Sequence, residues 1–217
     1  MKKVLLIIAI VAAGFTANAQ EVSFGAKAGL NIANYSKSTD DIDSEARTSF
    51  HIGAVAEIKI SDKFSFQPEL IYSEQGATID YTETTTVLTE FTKVKLKGNI
   101  KLNYLNIPLM AKYYVMEGLS LEAGPQVGFL LSNKSKIKTT VESSLLGESG
   151  TETSDLYLKD NLKSVDFGLN FGAGYKLDNG LNFSARYNLG LSNMNDYEDN
   201  GNSRKNGVFQ LSVGYFF

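Results

Sequence analysis

The chain has 217 residues, a formal charge of −3 and no cysteine. That length suits one domain with a sizeable enclosed interior. The missing cysteines exclude a disulfide framework and a thiolate metal site. The mild acidity, with no basic run that would track a phosphate backbone, removes nucleic acid from the expected partners.

The first expected element is a leader. Lys2 and Lys3 precede an uninterrupted apolar stretch, residues 4–13, and Ala17-Asn18-Ala19 fits a small-residue cleavage site. This order predicts a cleaved signal peptide over 1–19. The apolar stretch is too short for a membrane-spanning helix, which needs roughly 20 residues. Cleavage removes two lysines and no acids, leaving 19 cationic against 24 acidic residues, a charge of −5.

From residue 22 onwards, period-2 alternation recurs eight times, the signature of strands with one apolar face. Residues 22–31 set Val22, Phe24, Ala26, Ala28 and Leu30 against Ser23, Gly25, Lys27, Gly29 and Asn31. Residues 50–60 set Phe50, Ile52, Ala54, Ala56, Ile58 and Ile60 against a face carrying His51, Glu57 and Lys59. The same pattern runs through 64–73 (Phe64, Phe66, Pro68, Leu70, Tyr72), 104–113 (Leu105, Ile107, Leu109, Ala111, Tyr113) and 119–131 (Leu119 to Leu131 at odd positions). It continues in 165–176 (Val165, Phe167, Leu169, Phe171, Ala173, Tyr175), 181–191 (Leu181, Phe183, Ala185, Tyr187, Leu189, Leu191) and 208–217 (Phe209, Leu211, Val213, Tyr215, Phe217). No apolar face holds a charge, and each segment is about 10 to 12 residues, enough for a tilted strand to cross hydrocarbon. The opposite face is rich in glycine and in both signs of charge, which suits a crowded small-barrel interior and not a lipid-facing surface.

The joins alternate in length. Ser61-Asp62-Lys63, the segment around Met116-Glu117-Gly118, and Asp178-Asn179-Gly180 are short, and Asn-Gly is a strong tight-hairpin signal. The joins over 32–49, 74–103, 132–164 and 192–206 are long and polar. Short periplasmic turns and long outer loops characterise outer-membrane barrels. The outward aromatics fall in two bands: Phe64, Tyr113, Tyr175, Phe183, Tyr215 and Phe217 at the short-turn end, and Phe50, Tyr72, Phe129, Phe167 and Tyr187 at the other. These bands predict interfacial girdles. Pro68, Pro108 and Pro125 fall inside strands, where a ladder bond is lost, and each predicts a local bulge.

The prolines also carry a family likeness. Segments 64–76 (FSFQPELIYSEQG), 104–114 (YLNIPLMAKYY) and 121–128 (LEAGPQVG) resemble hallmark segments of the PorT-like outer-membrane β-barrels, a porin-family group. Segment 210–217, ending at Phe217, is similar to the terminal aromatic signal of such barrels. The resemblance covers nearly all of the chain after the leader. It implies an eight-stranded barrel, an outer-membrane location and recognition of the last strand by barrel-insertion machinery.

The expectation is therefore an all-β protein: residues 20–217 form an eight-stranded antiparallel up-and-down transmembrane β-barrel in the outer membrane, in contact with its lipid. Eight strands leave an interior that side chains can fill. Lys27, Lys59, Lys112, Lys176 and Arg186 face inward against Glu57, Glu69, Glu122 and Asp166. Lys27, Glu57, Glu69, Glu122 and Arg186 are the expected lumen charge network, because buried charges must be paired. The function expected is a non-enzymatic scaffold displaying long outer loops over a largely plugged lumen; the alternative is a small passive channel lined by the same groups.

Catalysis finds little basis. The one histidine, His51, faces inward, and Asp166 lies at a similar height but across the barrel, so no orienting partner for a general base is near in sequence. No cofactor and no metal site is expected. In the second long join, Val94, Leu96, Ile100 and Leu102 alternate with Lys93, Lys95, Lys97 and Lys101, and 136–141 alternates on a smaller scale. Strands three and four are thus expected to continue as a protruding ribbon, either a solvated hairpin with no ligand or an edge that adds a strand from an extracellular protein partner. Asp40, Asp41, Asp43 and Glu45 form an acidic stretch in the first join with no fixed coordination pattern.

Overall fold

The computed structural model describes residues 21–35, 44–87, 90–143, 149–156, 162–193 and 205–217. The expected leader, 1–19, and Asp40, Asp41 and Asp43 lie outside the described residues. The strands are β1 (Val22–Tyr35), β2 (Ser44–Lys59), β3 (Phe64–Val87), β4 (Glu90–Tyr114), β5 (Leu119–Ser143), β6 (Ser149–Leu156), β7 (Val165–Lys176), β8 (Leu181–Gly190) and β9 (Asn206–Phe216). All pairings are antiparallel. Following chain order, β1 to β5 pair as neighbours, β5 pairs with β7, β7 with β8, and β8 with β9. The β1–β9 ladder, from Gly25–Phe216 to Tyr35–Asn206, closes an eight-stranded barrel. The remaining strand, β6, bonds to the far half of β5.

The alternation read in the sequence decides which face goes where. Phe24, Leu30, Phe50, Ile52, Phe171, Tyr187, Leu211 and Tyr215 are exposed around the outside, whereas Lys27, Asn31, His51, Glu69, Glu122, Asn170, Arg186 and Gln210 are buried inside. This is inside-out relative to a water-soluble protein, and it leaves the hydrophobic side facing lipid. Aromatic rings meet at both heights: Phe64 and Tyr113 at 5.0 Å near the short turns, Phe50 and Tyr72 at 6.0 Å near the long joins. No helix among the described residues is long and apolar enough to cross a membrane.

The short turns are tied by local hydrogen bonds. The Ile60 amide donates to the Phe64 carbonyl at 2.9 Å, and the Leu177 amide to the Leu181 carbonyl at 2.8 Å. Gly118 and Gly180 take positive φ (76° and 87°), the conformation that favours glycine in a tight reversal.

The prolines behave differently from expectation. No register shift occurs at Pro68, Pro108 or Pro125; the shifts lie between Ala46 and His51 and between Asn103 and Tyr104, at the long-join rim. Each proline instead interrupts one ladder for two pairs and leaves the register the same on either side. The skipped pairs involve Pro68 toward β2, Pro108 toward β3 and Pro125 toward β4. On its other side each proline stays in register, opposite Leu109, Gln126 and Leu169 respectively. A proline lacks one donor, so its strand loses bonding on one side without gaining a residue. The closed ring of neighbours holds the register across the gap.

The expected continuation of the third and fourth strands is present in the joins over 74–103 and 132–164, and it is wider than a two-stranded ribbon. β3 and β4 continue as a paired ribbon to Val87–Glu90, β4 and β5 pair up to Thr92–Ser143, and β6 adds to β5. The result is a four-stranded antiparallel sheet rising from one side of the barrel mouth.

Gly124 faces the interrupted stretch beside Pro125, and a Cβ there would lie 2.0 Å from the Leu109 carbonyl oxygen. Gly124→Ala is expected to cost about 1–3 kcal/mol, the usual range for forced overpacking, measured as a lowered urea midpoint for the barrel folded in micelles.

Candidate functional site

Each strand sends alternate residues inward, and the register brings seven ionisable side chains into a single chain of contacts. Lys27 meets Glu69 at 2.8 Å, and Glu69 meets Arg186 at 2.7 Å. The Arg186 Nε donates to Glu122 at 2.6 Å. Glu122 lies 3.5 Å from Lys112, Lys112 lies 3.7 Å from Glu57, and Glu57 accepts from Lys176 at 3.1 Å. Sign alternates at every step. The seven residues come from β1, β3, β8, β5, β4, β2 and β7, one from each strand. The remaining barrel strand, β9, contributes the Phe216 ring, with the Lys176 ammonium 4.3 Å from its centroid and that of Lys112 at 5.9 Å.

Neutral groups complete the chain. Gln67 donates to Glu69 at 2.6 Å and accepts from Lys112 at 3.1 Å, and the Tyr114 hydroxyl donates to Glu57. Four cations face three carboxylates, and the aromatic face of Phe216 offsets part of the excess. Interior glycines leave room for the arms: a Cβ at Gly172 would sit 2.6 Å from Arg186 Cγ, and one at Gly174 would sit 2.5 Å from Glu122 Oε1.

Toward the long-join end the interior turns neutral. His51 is buried between Asn31 and Ser212, with ring nitrogens 2.8 Å from each. Asn31 also donates to Ser73 at 3.0 Å and receives Gln210 at 3.0 Å. Above them Arg47 pairs with Glu74 and donates to the Gln75 carbonyl, while Asn206 donates to Gln75. Leu102 and Tyr104, packed against Ile100, Leu130 and Leu162, form an apolar cluster at that end. At the short-turn end a cavity of about 500 Å³ opens below the ion chain, lined by Glu57, Lys59, Ser65, Tyr114, Lys176 and Asp178 among others.

The structure brings together the five network residues named from sequence: Lys27, Glu57, Glu69, Glu122 and Arg186. Two other inward charges stand apart. Lys59 ends its strand at the mouth, half exposed, and among the described residues its ion-pair partner is Asp62 at 3.6 Å. Asp166 lies at the opposite rim beside Ser192, and among the described residues it has no ion pair. Neither histidine nitrogen contacts Asp166. Sequence reasoning placed Lys112 and Lys176 inward but did not name them in the network, and it missed Gln67, Tyr114 and Phe216 as members. Alternation did place Gln67 and Phe216 inward, but Tyr114 is the last residue of its strand, where alternation stops being a guide.

A family model described as "Outer membrane protein beta-barrel domain" matches residues 18–196. Among solved structures, the fold is similar to Neisserial surface protein A, with a TM-score of 0.51 and 14% identity over 91% of this chain and 99% of that one. Ail, the attachment invasion locus protein of Yersinia pestis, gives a TM-score of 0.46 and 14% identity with the same coverage. At such identities the likeness concerns the fold alone. Among curated proteins nothing matches.

Arg186 bridges two buried carboxylates, so Arg186→Met leaves both short of a partner. It is expected to destabilise the barrel by about 3–5 kcal/mol, whereas Lys59→Gln at the exposed pair is expected to cost less than about 1 kcal/mol. Equilibrium unfolding of both variants in the same lipid checks the contrast.

Proposed function

The chain belongs to the outer membrane protein β-barrel domain family and resides in the outer membrane, and from that premise we propose that it is a non-enzymatic scaffold with a plugged lumen. Its working surface is the sheet beyond the barrel. The observation that carries this reading is the alternating ion chain from Lys27 to Lys176, which draws on seven strands and runs across the interior. An eight-stranded barrel is narrow enough for side chains to fill, and paired charges with their hydrogen bonds cross its middle here. His51 is held by two neutral partners, an arrangement that orients the ring but supplies no carboxylate to a general base.

The finer kinship proposed is with PorT-like porin-family barrels, supported by the segments around Pro68, Pro108 and Pro125. Residues 1–19 are proposed as the cleaved signal. The last strand, with Phe209, Leu211, Val213 and Tyr215 exposed and Phe217 beyond it, is the proposed element for the insertion machinery. The outer sheet offers its edges to an extracellular protein, since an exposed strand edge can accept another strand.

The rival reading is a small passive channel, favoured by the 500 Å³ cavity at the short-turn mouth. Planar-bilayer recording separates the two. The wild-type protein is expected to show no steady conductance, and the triple variant Glu69→Ala, Glu122→Ala, Arg186→Ala to conduct; steady large currents through the wild type would overturn the plug. The display role has its own check. A chain lacking 79–98 and 137–154, each replaced by Asn-Gly, is expected to insert normally but to lose the surface partners captured by the full chain. Identical partners and phenotype for both chains would remove the basis for a scaffold.

A further inference from the structure

On β4 the residues that face away from the barrel axis are Tyr113, Ala111, Leu109, Ile107 and Leu105 through the membrane, then Asn103, Lys101, Asn99, Lys97, Lys95 and Lys93 above it. β4 keeps this alternation throughout: even residues such as Leu102, Tyr104, Asn106, Met110 and Lys112 are buried on the other side. On β5 the register continues the same face. Phe129 is followed by the bulged Leu131, then Ser132, Lys134, Lys136 and Lys138, with Lys134 opposite Lys101, Lys136 opposite Asn99 and Lys138 opposite Lys97. The surface that is apolar in the hydrocarbon therefore becomes a field of seven lysines directly above it. Lys97, Lys101, Lys134, Lys136 and Lys138 are exposed. Among the described residues, the counter-charges at register positions of this face are Asp80, which meets Lys97 at 2.9 Å, Glu142 opposite Lys93, Asp155 opposite Lys136, Glu45 opposite Thr78, and Glu74 opposite Asn103, the last already paired with Arg47.

Two features point to an occupant. Like charges directly opposite each other across strands are unfavourable, yet Lys101–Lys134 and Lys97–Lys138 are two such pairs on adjacent strands. A bound polyanion relieves that repulsion. The second feature is height. The lysines begin at Lys134, three residues beyond the exposed Leu131, and extend eight residues along β4, from Lys101 to Lys93, about 26 Å at roughly 3.3 Å per residue. The headgroup layer of a simple bilayer is only about 5–7 Å thick on each side.

We propose that this lysine face binds anionic glycolipid of the surrounding outer leaflet, a lipid whose negative groups are carried on sugars standing above the hydrocarbon boundary. The face continues the lipid-contacting surface, so its nearest anions belong to the membrane and not to a ligand arriving at the barrel mouth. Binding there fixes the tilt and height of the outer sheet. This inference does not depend on the plug or on a protein partner.

The test uses the full-length protein in neutral detergent micelles and native mass spectrometry. Three probes are titrated: a purified glycolipid bearing phosphorylated core sugars, phosphatidylglycerol, and the deacylated headgroup of the glycolipid. The variant carries Lys97→Gln, Lys101→Gln, Lys134→Gln and Lys138→Gln. The control carries Lys59→Gln and Lys63→Gln at the opposite mouth. The wild type is expected to bind the glycolipid most tightly and to release it as salt is raised. Each lysine near an anionic surface is worth about fivefold, so the four-lysine variant is expected to bind at least about tenfold more weakly, with the control unchanged. In neutral micelles that variant is expected to be at least as stable as the wild type, because two repulsive pairs are gone and the solvent-exposed Lys97–Asp80 pair lost with them contributes little. Retained glycolipid affinity in a folded variant overturns the proposal, as does equal binding of phosphatidylglycerol. Equal affinity for the deacylated headgroup overturns the lipid as its source. A variant that loses stability in neutral micelles overturns the repulsive pairing on which the occupant is argued.

Discussion

A peptide group that faces hydrocarbon without a partner costs several kcal/mol, and this constraint organises the molecule. The β1–β9 ladder removes the last two edges, and with eight strands it fixes a narrow interior. Once the outside must be apolar and the inside is too tight for bulk water, the alternate residues of every strand have to satisfy one another. The lumen network follows from closure.

The ion chain uses that necessity to specify pairing. Because each of seven strands supplies one member, a one-residue slip of any of them would turn its charge toward lipid and an apolar residue inward. In a membrane barrel a cation at mid-depth facing lipid costs about 2–4 kcal/mol. Buried ion pairs are weak evidence for net stability, since desolvation offsets much of the attraction. Here their clearer effect is on register. Register also survives the three prolines, each of which breaks one ladder for two pairs without shifting it. The extra residues are at the rim, between Ala46 and His51 and beside Leu131, where the sheet leaves the barrel.

Much of this was legible in the sequence because strand alternation is local. Phe50, Ile52 and Tyr187 could be placed outside, and Lys27, Glu69 and Arg186 inside, from their neighbours alone. Reading failed where the decisive partner was distant. Lys59 has the parity of an inward residue, but it ends its strand and reaches water. Tyr114 sits one residue past the clear pattern and reaches Glu57, 57 positions away in sequence. β6, with the sequence SGTETSDL, has almost no apolar alternation to announce it; it is a strand because β5 offers it a ladder above the membrane, where neither face needs to be greasy.

By itself the sequence determined the period, the faces, the short turns and hence a barrel in the outer membrane, because each depends on residues a few positions apart. Only the tertiary structure decided how the inward charges connect, that prolines gap the ladders without shifting them, and that the expected ribbon widens to four strands, bringing the lysines of β4 and β5 onto one face. Those outcomes depend on which residues of different strands stand opposite one another. Cross-strand register is set by closure of the whole ring and is written in no single segment.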